Sequence, residues 1–246
     1  MLFCSAPSTL RAQRAKELRV AAAADLQPVL PVLAAEYEKT TGVKLVISFG
    51  SSGNLATQII NGSPMDLFLG ADFVFPEKVV AAGLADGNAP TQYAKGTLVL
   101  WARKDSPLQP ISLDSLVDKR VTTVAIANDL HAPYGRAAVM ALQRMKMYDT
   151  VKLHLVVAEN ISQAAQFVES GNAQLGLISL TAASSQHFKE AGTYVIVPTS
   201  SYAPILQCAV VMAKSDRKAT AHAFLDWMLS PAIQARLPQM GLAPVR

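Results

Sequence analysis

Four short turns in this chain combine small, neutral residues with points where a strand gives way to a helix. They are Ala24-Asp25-Leu26, Ser51-Ser52-Gly53, Pro133-Tyr134-Gly135 and Glu159-Asn160-Ile161. The chemistry this pattern offers is anion binding. A helix N-terminus presents N–H groups with no partner inside the helix, at the positive end of its dipole, so it receives an anion without a cationic side chain. Serine hydroxyls add donors, and glycine lets a ligand approach the backbone closely. Taken singly, each turn also reads as an ordinary helix cap, because Ser, Asp and Asn favour that position. Their recurrence, two in each half of the chain, shifts the reading towards a cleft.

The parts needed for catalysis are missing. Gly50-Ser51-Ser52-Gly53 is not a G-x-S-x-G nucleophile elbow, and no histidine is placed to complete a triad. The chain has neither a G-x-x-x-x-G-K-[ST] phosphate loop nor a G-x-G-x-x-G dinucleotide turn. His131, His154, His187 and His222 lack metal-ligand spacing with one another or with cysteine, and only His131 adjoins one of the four turns. A hydrolase with Ser52 as nucleophile would have no visible base. The expectation is a binding protein with no cofactor.

The elements that must position these turns follow from the punctuation. Strands are expected at 18–23, 44–49, 66–69, 96–102, 122–126, 153–157, 175–179, 193–197 and 205–212. Helices are expected to begin near 26, 54, 74, 113, 135, 161, 218 and 232. Pro31 should kink or delay the first helix. A strand–helix alternation of this kind implies α/β architecture with doubly wound, parallel sheets. The polar break at 103–107 and the long apolar run at 205–212 divide it into two lobes joined by two crossing strands. Lobe I is expected to hold 17–101 plus 206–246 and lobe II 102–205, with the ligand cleft between them at the carboxyl ends of the strands.

Composition agrees with such a protein. The 246 residues are 51% hydrophobic and only 16% charged, with a net charge of +4. That content supports a sizeable core and excludes disorder. No apolar run is long enough to span a membrane. Lysine and arginine are scattered, which excludes a nucleic-acid footprint. Cys4 and Cys208 do not form a disulfide framework, and Cys208, inside an apolar run, reads as a buried thiol. Residues 1–16 read either as the remnant of a secretory signal or as a disordered N-terminus, and stand outside the fold.

The segments RVAAAADL (19–26), FGSSGNLATQI (49–59) and PMDLFLGAD (64–72) resemble the periplasmic molybdate-binding proteins of ABC transporters. So do APYGRAAVMALQRMKMYD (132–149), VVAENISQAAQFVESGNAQLGLIS (156–179) and the closing GLAPV (241–245). The resemblance runs in order from residue 18 to 246. It implies a type II, two-lobed periplasmic binding protein, a monomer that closes on molybdate or tungstate and delivers it to a permease in the inner membrane. It implies that neutral donors alone hold the oxyanion, with no direct metal ligand: the Ala24-Asp25 turn, Ser51 and Ser52 from the first lobe, and Tyr134 and Ile161 from the second. A tyrosine that contacts the ligand in some members falls at Ser179, which keeps a hydroxyl on a shorter arm. Members of the family often carry Ser or Thr where this chain has Ala24-Asp25. An unpaired carboxylate would repel a dianion, so Asp25 is expected to cap its own helix with its side chain turned from the ligand, leaving binding to backbone N–H groups of this turn. Otherwise it accepts a proton from a protonated oxyanion such as hydrogen phosphate. A receptor for sulfate or phosphate is the alternative within the same class.

Overall fold

The central strands of each sheet are apolar along most of their length because helices cover both faces there. In β1 (Glu17–Ala23) Leu18, Val20 and Ala22 pack with Leu33 and Phe224 on one side, while Ala21 packs with Leu55 and Val79 on the other. The computed structural model describes residues 17–245. The segment 1–16, with Cys4 and the expected leader remnant, lies outside the described residues.

The remaining strands are β2 (Lys44–Gly50), β3 (Leu67–Gly70), β4 (Thr91–Gly96), β5 (Leu98–Arg103), β6 (Val124–Ala127), β7 (Leu155–Ala158), β8 (Leu175–Ser179), β9 (Gly192–Ile196) and β10 (Ile205–Val211). The helices of the first half are α1 (Leu30–Thr41), α2 (Ser52–Ile60) and α3 (Val74–Ala81). They are followed by α4 (Pro133–Arg144), α5 (Tyr148–Val151), α6 (Ile161–Glu169), α7 (Leu180–Ala183), α8 (Gln186–Ala191), α9 (Lys218–Leu229) and α10 (Pro231–Gln234). They cover two five-stranded sheets, ordered β2-β1-β3-β10-β4 and β7-β6-β8-β5-β9. These are the two α/β lobes.

The sheets are mixed rather than wholly parallel. Strands β2, β1 and β3 run parallel, as do β7, β6 and β8, whereas β10 and β5 enter antiparallel to their neighbours. The reason is the crossing itself: a chain passing between lobes joins each sheet from the opposite end. The first crossing lies at Thr97, between β4 and β5, because β5 pairs with β8 and β9. The expected division at 101 therefore falls inside a strand of the second sheet, and β4 was not anticipated as a separate strand. The return path runs from Val197 to β10, where Ile205 pairs with Gly96 of the first crossing.

Pro31 does delay the first helix. Ala24–Leu26 forms a single 3-10 turn, and α1 begins at Leu30 with Pro31 in its first turn, where the missing N–H costs no helical bond. The expected helix at 113 is a 3-10 turn, Leu113–Val117, and α7 and α8 were not anticipated.

At the far end of β1 a buried carboxylate ties the first lobe together. Asp66 accepts from the Arg19 backbone N–H at 2.8 Å, from its guanidinium at 3.1 and 3.2 Å, and from the Ser215 hydroxyl at 2.8 Å. Burial pushes this carboxyl up, but the Arg19 and Ser215 hydrogen bonds outweigh it and hold it below the usual range. Its contribution is therefore present at neutral pH and is lost as pH falls through the lowered value. Asp66→Asn should cost about 1–3 kcal/mol at pH 7, less than a fully buried pair because Arg19 is half-exposed. Urea midpoints of the two proteins at pH 7 check this, and equal midpoints would contradict it.

Candidate functional site

Five strand ends bring the site together. In the first lobe β1 runs into Ala24-Asp25, β2 into Ser51, and β3 into Ala71. In the second, β6 leads to α4 and β7 leads to α6. Ala24, Asp25, Ser51, Ser52, Tyr134 and Ile161 all line one small cavity, of about 10 Å³, between the lobes. That is room for at most one water, so the lobes must part to seat an ion. Ser179 does not line this cavity. Its Oγ caps α7, accepting from the Ala182 N–H at 3.3 Å, and is hydrogen-bonded to the Thr181 hydroxyl at 2.8 Å.

Donors converge on the cavity. Ser51 and Asn160 cap α2 and α6, their side chains accepting from the N–H groups of Asn54 at 3.4 Å and Gln163 at 3.0 Å. The N–H groups of Ser52 and Ile161, first residues of these helices, have no partner within the helix. The same holds for the Tyr134 N–H at the start of α4. Ser52 Oγ accepts from the Ala71 N–H at 2.9 Å, which fixes the hydroxyl and leaves its proton available for donation. No lysine or arginine lines the cavity. Nearby, Arg136 pairs with Asp72 at 3.2 Å.

Asp25 departs from expectation. It does not cap its helix: Ala23 is the capping residue and no side chain serves that turn. Instead, Asp25 Oδ2 accepts from the Tyr134 hydroxyl at 3.2 Å and from the Gln207 amide. The physical reason is tertiary: a donor from α4 and a donor from β10 reach the carboxyl, and both outcompete a local turn. The Thr181 hydroxyl donates to the Asp25 carbonyl at 2.6 Å. Burial pushes the Asp25 carboxyl up to about 6, despite the Gln207 and Tyr134 bonds that pull it down. Burial beside this carboxylate also raises the Tyr134 phenol well above its ordinary value.

Sequence reading missed Gln207 and Thr181. The available signal was a glutamine within an otherwise apolar strand: Gln207 is fully buried, and a buried amide calls for a polar partner. His131, noted for its position, takes part through its backbone. Its carbonyl accepts from the Gly53 N–H at 2.8 Å, which joins the N-terminus of α2 directly to the second lobe. The lobes also meet where Asn54 Nδ2 donates to Glu159 at 3.3 Å and where the Ser162 hydroxyl donates to Gln27.

Two α/β lobes whose helix N-termini converge on a buried, donor-lined cleft define a two-lobed receptor for a small solute. The chain belongs to the bacterial extracellular solute-binding protein family, whose model matches residues 18–243. It is 36% identical over 220 residues to the molybdate-binding protein ModA of Azotobacter vinelandii, across 89% of this chain and 87% of that one. The corresponding protein of Rhodobacter capsulatus is 35% identical over 217 residues, across 88% and 84% of the two chains. Among solved structures, the periplasmic molybdate-binding protein of Azotobacter vinelandii matches with a TM-score of 0.86 at 33% identity, covering 93% of this chain and all of that one. The sulfate-binding protein SubI of Mycobacterium tuberculosis shares the fold, with a TM-score of 0.78 at 16% identity over 94% of this chain and 87% of that one. The family is one of solute binders rather than enzymes, and its members act outside the cytoplasm. Among the described residues, no helix is long and apolar enough to cross a membrane.

Proposed function

We propose that the cleft captures one tetrahedral oxyanion, molybdate or its near-twin tungstate, and that the closed monomer presents it to an ABC permease in the inner membrane. The observation that carries this reading is a cavity lined by helix N-termini and a positioned serine hydroxyl, with no cationic side chain. Burying a dianion is tolerable only where nearly every oxygen lone pair meets a donor, and an all-donor cage selects an unprotonated tetrahedral ion. The identity to molybdate-binding relatives across most of the chain supports the choice of ion. Capture then follows from closure: the ligand bridges Ser52 in one lobe and the starts of α4 and α6 in the other, so it favours the closed form by its extra contacts.

A thermal-shift panel of molybdate, tungstate, sulfate and phosphate tests the reading. Ligand at about 1,000 times its Kd stabilises by about 4 kcal/mol, which for a chain of this size raises Tm by about 10 °C. Molybdate and tungstate should give that shift and sulfate should not; no shift with molybdate would overturn the reading. A second reading, a receptor for a protonated oxyanion such as hydrogen phosphate, is favoured by the presence of Asp25 in the cleft, and the phosphate arm decides it. Ser52→Ala should weaken molybdate binding by about 1–3 kcal/mol, the loss of one hydrogen bond to a charged group. An unchanged Kd in titration calorimetry would remove Ser52 from the site.

A further inference from the structure

Asp25 is an anomaly in a cleft built for a dianion. Both of its side-chain donors, Tyr134 and Gln207, converge on Oδ2. Its other oxygen, Oδ1, is buried and has no hydrogen-bond partner. Asp25 is one of the residues that line the same cavity as Ser52 and Ile161. Every other polar group argued to face the ligand is a donor. An oxyanion brings only acceptors, so an ionised Oδ1 would meet it lone pair to lone pair at close range in a dry cleft. One proton between them turns that repulsion into a charge-assisted hydrogen bond. Because Oδ2 already accepts from two donors, the proton's place is Oδ1.

We propose that the cleft takes up one proton from solvent with each oxyanion it binds, held between Asp25 Oδ1 and a ligand oxygen, so that Asp25 is a specificity-determining contact. This rests on the oxyanion reading above. The bond formed is O–H···O, with the proton drawn from the buffer and no other group changing charge.

The groups packed around Asp25 leave it as the one to titrate. The Tyr134 phenol from α4 and the Tyr93 phenol from β4 are both driven well up by burial and by the Asp25 charge. Cys208, next to Gln207 on β10, is pushed up to about 12, chiefly by burial. Phenols and thiol therefore stay protonated across neutral pH. From α7 comes the neutral Thr181 hydroxyl, on the Asp25 carbonyl. Across the adjoining cavity Glu169 of α6 and His187 of α8 pair with each other at 3.0 Å. Asp72, following β3, is paired with Arg136 of α4. With the free carboxyl at about 6, oxyanion affinity should be flat below that pH and fall about tenfold per pH unit above it.

Titration calorimetry of the full chain with sodium molybdate, in buffers of different ionisation enthalpy, counts the protons. About one proton should be taken up per ion near pH 8 and close to none near pH 5. Asp25→Asn keeps the shape and offers an amide N–H in place of the acid O–H. It should bind molybdate with no proton uptake, with a Kd constant within about twofold from pH 5.5 to 8, and at least tenfold more tightly than the wild type at pH 8. Molybdate binding by the wild type without proton uptake at pH 8 overturns this proposal and leaves the oxyanion reading standing. Uptake that persists in Asp25→Asn also overturns it. No binding of molybdate or tungstate by the wild type at either pH overturns both. Should the variant fail to fold, the wild-type proton count decides alone.

Discussion

Gly53→Val should lower the affinity for molybdate by about a hundredfold or more while leaving each lobe folded. A Cβ on Gly53 would lie 2.9 Å from both the Cα and the carbonyl oxygen of His131 in the other lobe, and 2.9 Å from the Phe75 ring. Phe75 belongs to the same lobe and its ring can give, but the His131 backbone cannot yield without moving the second lobe. The same step breaks the 2.8 Å bond from the Gly53 N–H to His131. A closed form reduced to about 1% of molecules lowers apparent affinity by the same factor. Gly53 is not in the left-handed region, so valine fits the helix itself and the defect belongs to closure. Calorimetry with molybdate measures the loss, and a wild-type Kd in a folded Gly53→Val protein would contradict it. Gly53→Ala should fall between the two.

Asp25→Asn should stabilise the ligand-free protein at neutral pH. The Asp25 carboxyl stands at about 6 in the folded chain against 3.8 ordinarily. Between those values the folded chain binds more protons than the unfolded one, so stability falls as pH rises through this window and stays lower above it. The full difference amounts to ~3 kcal/mol. Asparagine removes the charge, keeps an oxygen for Tyr134 and Gln207, and so should raise Tm by about 5–10 °C at pH 7.5. Near pH 4 the two proteins should melt together. A lower Tm for the variant at pH 7.5 would show the carboxylate to be a net stabiliser.

The turns that line the cleft were legible because they are local. Ser51 and Asn160 cap the helices that follow them, and spacing within a few residues reveals a cap. The strands were legible as apolar runs, and β8 was expected at its observed limits. Sheet membership was not: 96–102 read as one strand, whereas Gly96 and Leu98 belong to different sheets. Nothing in local hydropathy says on which side of a crossing a strand pairs. Asp25 illustrates the same limit in side-chain chemistry. Its type at a strand–helix junction reads as a cap, but its partners stand 109 and 182 residues away, in α4 and β10. Long-range donors decide such a residue, and no local pattern encodes them.

The two passages between the lobes lie side by side, with Ile205 paired to Gly96 across them. A lone tether would leave one lobe free to swivel and twist on the other. Two adjacent tethers act like the paired leaves of a door hinge and confine the motion to one swing. Tyr134 sits at the pivot itself, its hydroxyl where a side chain on Gly96 would begin. Anything outside the molecule that touches both lobes at once therefore has a single angle to read. On the proposed capture by closure, that angle reports whether an ion is bound, without any contact to the ion.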